Sequence, residues 1–171
     1  LKGETPVSRC CYLNAVKQAL LVVDVQSSFD PPPWLVAGIS RLLPLMPSCA
    51  TVELHDETIV PFQAQRGWRP EAEDTSLVAA DRIFIKHGYG PPPALIAHLR
   101  DLGVDRVLVC GIQADTCVLA AGFALFDAGL FPTMVTDLVV GSSLDRSGRL
   151  GADLWRHHFG AVIESGELLD R

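Results

Sequence analysis

Three ionisable side chains stand where apolar runs stop: Asp24 after A-L-L-V-V, Lys86 after R-I-F-I, and Cys117 just past R-V-L-V-C-G. A carboxylate can take a proton, a thiol that loses one becomes a nucleophile, and an ammonium steadies the resulting charge. Together the three suit attack on a carbonyl carbon. Cys117 has the most informative surroundings. Val107 to Cys110 read as a short buried strand and Gly111 to Thr116 as a polar turn. Val118, Ala121, Leu125 and Ala128 then fall at helical spacing before a stop at Gly129. Cys117 thus opens a helix that Asp115 or Thr116 can cap, where unpaired backbone N–H groups favour a thiolate. Taken singly, Asp24 reads equally as a hydrogen-bonded carboxylate, Lys86 as a side chain reaching solvent, and Cys117 as a packing residue. Their arrival at one sheet edge favours the joint reading.

That edge follows from the order of elements. Strands are predicted at Ala19–Val25, Ala50–Leu54, Arg82–Lys86, Arg106–Cys110, Pro132–Thr136 and Ala161–Glu164. Helices are predicted at Trp34–Leu43, Pro93–Leu102, Cys117–Ala128 and near Ser147–His158. Strands alternating with helices imply right-handed βαβ units. The expected fold class is therefore α/β: a three-layer α/β/α, Rossmann-like, open and mainly parallel sheet of about six strands. Ligands of such sheets bind beyond the carboxyl ends of the strands, near the switch in strand order. His55 to Ala80 reads as an irregular excursion of the sort that forms a lid or pocket wall. The short span from Trp34 to Cys49 predicts a reduced first crossover helix.

Bulk properties narrow the class. The length fits one domain, 1–171, with residues 1–17 as an N-terminal extension. At 49% hydrophobic and 20% charged the chain is not disordered, and it suits a sheet buried on both faces. A net charge of −6 without a basic cluster argues against nucleic acid and for a small neutral or cationic ligand. Apolar runs such as Ala19–Val23 fall far short of a membrane span, and Leu1 to Arg9 has no signal pattern. Leu1 in place of methionine points to a trimmed start. Cys10, Cys11, Cys49, Cys110 and Cys117 are odd in number and match no zinc or disulfide spacing, which reads as reduced thiols in a cytoplasmic protein.

A-L-L-V-V-D-V-Q-S-S-F, I-F-I-K, V-C-G-I-Q-A-D-T-C-V and the ending G-A-V-I-E-S-G-E-L-L-D resemble the isochorismatase-like cysteine hydrolases, from about Ala19 to Asp170. That group contains nicotinamidases, N-carbamoyl amidohydrolases and ureidoacrylate- or biuret-type amidases. The resemblance implies an Asp24–Lys86–Cys117 triad that cleaves a C–N bond of a small amide, carbamoyl or ureido compound through a thioester. It also implies an oxyanion hole from the N–H groups of Gln113 and Cys117, aimed by a cis Ile112–Gln113 peptide. A homo-oligomer, dimer or tetramer, and no cofactor are further implications. Gln26 and Phe29, in the family's Q-x-x-F arrangement, are expected beside the substrate; Trp34, Phe62, Trp68 and Tyr89 are further candidates for the pocket, with core packing as the alternative for each aromatic.

Three departures stand out. Ala114 replaces the threonine of the usual G-x-x-T-x-x-C-V motif, H-G-Y-G-P-P-P follows the lysine where S-A-F is common, and the first crossover is short. Zinc-dependent members carry Asp-x-His after the second strand; here Asp56 is followed two places on by Thr58, so no metal is expected. True isochorismatases lack the cysteine, so Cys117 argues for C–N cleavage over vinyl-ether hydrolysis. Other readings are a catalytically silent ligand-binding relative, an isochorismatase-type hydrolase, a nucleotide binder lacking G-x-G-x-x-G or a P-loop, and a redox protein lacking C-x-x-C.

Overall fold

The computed structural model describes residues 16–170. Cys10, Cys11 and nearly all of the extension 1–17 lie outside the described residues. Six strands form one sheet: β1 (Gln18–Val23), β2 (Ser48–Glu53), β3 (Arg82–Lys86), β4 (Arg106–Ile112), β5 (Phe131–Val140) and β6 (Val162–Ile163). Their order is β3-β2-β1-β4-β5-β6, and every pairing is parallel. The chain winds outward from β1 through β2 to β3, then returns to the other side of β1 with β4. The switch point lies between β1 and β4, and a crevice opens past their carboxyl ends.

Parallel strands are covered on both faces, and the alternation of side chains sorts the core into two layers. Leu21, Val23, Val107 and Val109 pack against α3 (Pro93–Asp101), α4 (Cys117–Asp127) and α5 (Arg149–His158), with Trp155 fully buried among them. Leu20, Val22, Leu108 and Cys110 face the opposite layer, where Leu35, Ile39 and Leu42 of α1 (Pro33–Leu42) meet them. Two triple-proline segments launch α1 and α3 the same way. Pro32 and Pro92 are extended, and Pro33 and Pro93 take the first helical position, where a missing N–H costs nothing.

The expectations need three adjustments. The first crossover helix is not reduced: α1 has ten residues, as many as α5, because the short segment is spent almost wholly on helix. The excursion after β2 contains α2 (Phe62–Arg66), and a further turn, α6 (Gly166–Leu169), follows β6. β5 continues past Thr136 to Val140, with a register shift opposite Val109 and Gly111. Gly111 is required there. Its φ is +115°, and a Cβ would run into the backbone of Val23.

Candidate active site

The site is built on strand ends. Asp24 follows β1 with φ 51°, a left-handed conformation unusual for a residue with a side chain. Thr51 of β2 fixes it twice: the Thr51 hydroxyl donates to Asp24 Oδ1 at 2.7 Å, and the Asp24 N–H donates to Thr51 Oγ1 at 3.2 Å. Lys86 ends β3, and Cys117 begins α4. All three side chains are brought together out of solvent. Lys86 Nζ lies 2.8 Å from Asp24 Oδ2 and 3.5 Å from Cys117 Sγ. The ammonium also donates to the carbonyls of Gly88 at 2.7 Å and Tyr89 at 3.4 Å, so the H-G-Y-G segment holds the lysine in place.

A fourth ionisable group completes the cluster. Glu53, the last residue of β2, is the register partner of Lys86 across β2 and β3. Its Oε2 lies 3.1 Å from Lys86 Nζ and 3.5 Å from Cys117 Sγ, and the residue is 2% exposed. Glu53 lies outside the sequence-based set because the predicted strand Ala50–Leu54 makes it an interior strand residue. The rule that found Asp24 and Lys86, an ionisable residue closing an apolar strand, would have found it too.

Charge and burial set the protonation states. Burial works against the Lys86 ammonium, but Asp24, Cys117 and Glu53 outweigh it and hold its pKa above the ordinary lysine value. Burial raises the Cys117 thiol well above the usual range; Asp24 adds to that and Lys86 opposes it. The favourable helix end does not win. Burial likewise raises Glu53, partly offset by Lys86.

Around the nucleophile turn, the Ile112–Gln113 peptide is cis. Among the described residues, neither the Gln113 N–H nor the Cys117 N–H donates to a protein acceptor. Neither candidate cap acts as one. Thr116 holds the N-cap position without a side-chain cap bond, and Asp115 instead accepts from the N–H and hydroxyl of Ser142 at 2.8 and 2.6 Å. That pair ties the turn to the loop after β5.

A family model, the isochorismatase domain, matches residues 18–167. The chain belongs to the isochorismatase family. The chain is similar in structure to a nicotinamidase/pyrazinamidase from Acinetobacter baumanii, at TM-score 0.74 and 20% identity over 91% of this chain and 99% of that one. It is similar to an N-carbamoylsarcosine amidase from Thermoplasma acidophilum, at TM-score 0.72 and 23% identity over 87% and 96% of the two chains. A pyrazinamidase from Pyrococcus horikoshii, determined in complex with zinc, matches at TM-score 0.72 and 22% identity over 86% and 99%. A comparison with curated proteins found no match.

The Asp24–Glu53–Cys117 donors of this isochorismatase-family chain do not fit a metal. Asp24, Glu53 and Cys117 offer ligand-type atoms within 4.8 Å of one another. Lys86 Nζ, however, lies 2.8, 3.1 and 3.5 Å from those three groups and takes the position a cation would need. An acid-x-His pair does straddle the end of β2, as Glu53 and His55, three positions before Asp56-x-Thr58. Glu53 Oε2 is engaged with Lys86 and His55 Nε2 lies 3.3 Å from Glu57, whereas Glu53 Oε1 and His55 Nδ1 are buried without a hydrogen-bond partner among the described residues.

The predicted pocket residues divide. Phe29, Trp68 and Tyr89 line a cleft of about 740 Å³ that reaches Gln113 and Thr116 of the nucleophile turn. Phe62 is buried behind them, edge-on to Trp68 and Tyr89 at 5.8 and 5.3 Å. Trp34 is 53% exposed on α1 and is not part of the cleft wall. Gln26 does not face the cleft either: it is fully buried and its amide is spent within the protein. Its Oε1 accepts from Glu53 N at 2.7 Å, and its Nε2 donates to Glu53 O at 3.0 Å and to Asp74 at 2.9 Å. Ala114 is buried beside Gly151, where a Cβ would strike Ala114 itself; the turn is packed for a small residue.

Proposed function

We propose that this chain is a cysteine-dependent hydrolase that cleaves a C–N bond of a small amide, carbamoyl or ureido compound through a thioester on Cys117. The observation that carries this reading is the buried contact of Lys86 Nζ with both Asp24, at 2.8 Å, and Cys117 Sγ, at 3.5 Å. Membership of a hydrolase family supports it, and the amidases among the structural neighbours favour C–N bonds.

Because the thiol pKa is raised, Cys117 rests as S–H and loses its proton as it attacks. The proton passes to the Asp24 carboxylate, the S–C bond forms, and the carbonyl electron pair moves onto oxygen. The free N–H groups of Gln113 and Cys117 receive that charge; one such donor contributes on the order of 10²–10³ in rate. Collapse breaks the C–N bond, with the Asp24 proton leaving on nitrogen as ammonia or an amine. Asp24 then takes a proton from water, the hydroxide attacks the thioester, and the S–C bond breaks as the Asp24 proton passes to sulphur, returning the thiol and the Asp24 carboxylate and releasing the acid. Lys86 keeps its charge throughout and serves as fixed counter-charge.

Phe29, Trp68 and Tyr89 favour a planar substrate, while Arg66 and Arg146 in the cleft wall favour one carrying an acidic group, contrary to what net charge alone suggests. The partner is thus a small molecule, not nucleic acid or membrane. A homo-oligomer, dimer or tetramer, in the cytoplasm belongs to the same proposal; exposed Ile83, Ile85, Phe126, Phe131 and Leu144 support self-association. Among the described residues, no helix is long and apolar enough to cross a membrane.

The test is ammonia release from a panel of amides, carbamoyl and ureido compounds, each in a neutral and an acidic form. At least one acidic member is hydrolysed, and Cys117→Ala lowers that rate by about 10³-fold or more. Full activity in Cys117→Ala would sink the reading.

A further inference from the structure

Two carboxyl groups compete for one ammonium. Asp24 has the closer approach to Lys86 and a second donor in Thr51. Glu53 has the longer approach at 3.1 Å, and its Oε1 is buried with no partner, whereas Asp24 Oδ2, which likewise lacks a hydrogen bond, faces the ammonium directly. One buried cation balances one buried anion, so the less well served carboxyl is the one that holds a proton. The placement of Glu53 is not incidental. Gln26, itself fully buried, grips the Glu53 backbone through both its N–H and its carbonyl.

We propose that Glu53 is a fourth catalytic residue: a neutral carboxyl that donates a hydrogen bond from Oε2 to the Cys117 sulphur as that sulphur becomes anionic. In the resting site the thiol donates to Glu53 Oε2 at 3.5 Å. When the thiol proton passes to Asp24, the direction of that bond reverses. Glu53 keeps its own proton, and no charge is created or lost beyond the S-to-Asp24 transfer. An ionised Glu53 would instead oppose the thiolate from the same distance. The raised pKa of Glu53, from burial against the pull of Lys86, agrees with a neutral group. The titratable and charged groups facing it are Asp24 beyond β1, Lys86 from β3 and Cys117 from α4, with Asp74 standing behind Gln26. The assignment rests on Cys117 being the nucleophile.

The experiment is the pH profile of iodoacetamide alkylation at Cys117, read by peptide mass, in wild type and Glu53→Gln. The amide is uncharged and can still donate. At neutral pH the two proteins react within about threefold, since neither has an anion beside the sulphur. At higher pH the variant outpaces wild type, in which Glu53 ionises and holds the thiolate back. Infrared spectra of wild type alone supply a second readout: a protonated-carboxyl band at neutral pH that disappears on alkalinisation. The claim about Glu53 is overturned by a variant alkylated more than about tenfold faster or slower at neutral pH, by superimposable profiles, or by absence of that band. A Cys117 that is inert in wild type at every pH overturns the nucleophile reading itself, and the role of Glu53 with it.

Discussion

Gln26 and Glu53 are joined side chain to backbone by a closed pair of hydrogen bonds, 2.7 Å from Glu53 N to Gln26 Oε1 and 3.0 Å from Gln26 Nε2 to Glu53 O. Glu53 in turn reaches Lys86 and Cys117, so a residue two positions after Asp24 sets the far wall of the same cluster. Gln26→Ala leaves a buried N–H and a buried carbonyl without partners. The expected loss is about 2–4 kcal/mol, read from urea unfolding, together with a lower Cys117 alkylation rate. A change under about 0.5 kcal/mol would mean that water or Asp74 replaces the clamp.

Lys86 is the one cation facing Asp24, Glu53 and Cys117 among the described residues. Removing it strands the buried Asp24 carboxylate. Lys86→Met should cost about 3–5 kcal/mol, and Lys86→Arg should recover little of it because the guanidinium is larger and the ammonium is already packed against two carbonyls. Thermal and urea unfolding of the two variants check this.

The pH dependence of stability carries the signature of Glu53. Its folded pKa is raised above the ordinary 4.5 by burial, so the folded protein binds that proton more tightly than the unfolded chain. The resulting stabilisation is complete below 4.5 and is lost as pH climbs through the folded pKa. The stability of wild type relative to Glu53→Gln should therefore decline as pH rises above 4.5, measured by urea unfolding across pH. A difference that grows with pH would contradict the assignment.

Ala114 and Gly151 touch so closely that neither can grow. Ala114→Thr, which would match the usual family motif, should destabilise the protein by about 1–3 kcal/mol and slow alkylation at Cys117. The same outcome is expected for Gly151→Ala, assayed the same way.

The aromatic candidates separate by position. Once a substrate is in hand, Trp68→Ala and Tyr89→Ala should raise KM, since both side chains line the cleft, and Trp34→Ala should leave kcat and KM unchanged. An effect at Trp34 equal to that at Trp68 would place the substrate elsewhere.

The sheet and the Asp24–Lys86–Cys117 set were legible in the sequence because each lies at the end of an apolar run, and such runs mark buried strands. Glu53 and Gln26 were harder for one shared reason. All six residues of β2 are buried, so Ser48, Thr51 and Glu53 are polar groups in the core. Periodicity reports which residues are inside, yet not what a buried polar group binds. Here Ser48 bonds Asp81, Thr51 bonds Asp24, and Glu53 meets Lys86, all partners distant in sequence. Gln26 is expected beside the substrate from the family's Q-x-x-F arrangement, and only the closing of β2 beside it turns its amide inward. Trp34 failed for the opposite reason, since the helical turn begun by Pro33 points it to solvent.

The most direct measurement is peptide-mapped iodoacetamide alkylation at neutral pH in wild type and Lys86→Met, with folding confirmed in both. Cys49, raised to about 11, and Cys110, fully buried, are internal controls whose thiols hydrogen-bond no carboxylate among the described residues. Cys117 should be alkylated well ahead of both, because Asp24 takes its proton and Lys86 balances the charge, and it should lose that lead in Lys86→Met. A Cys117 no faster than Cys49 in wild type would contradict the account.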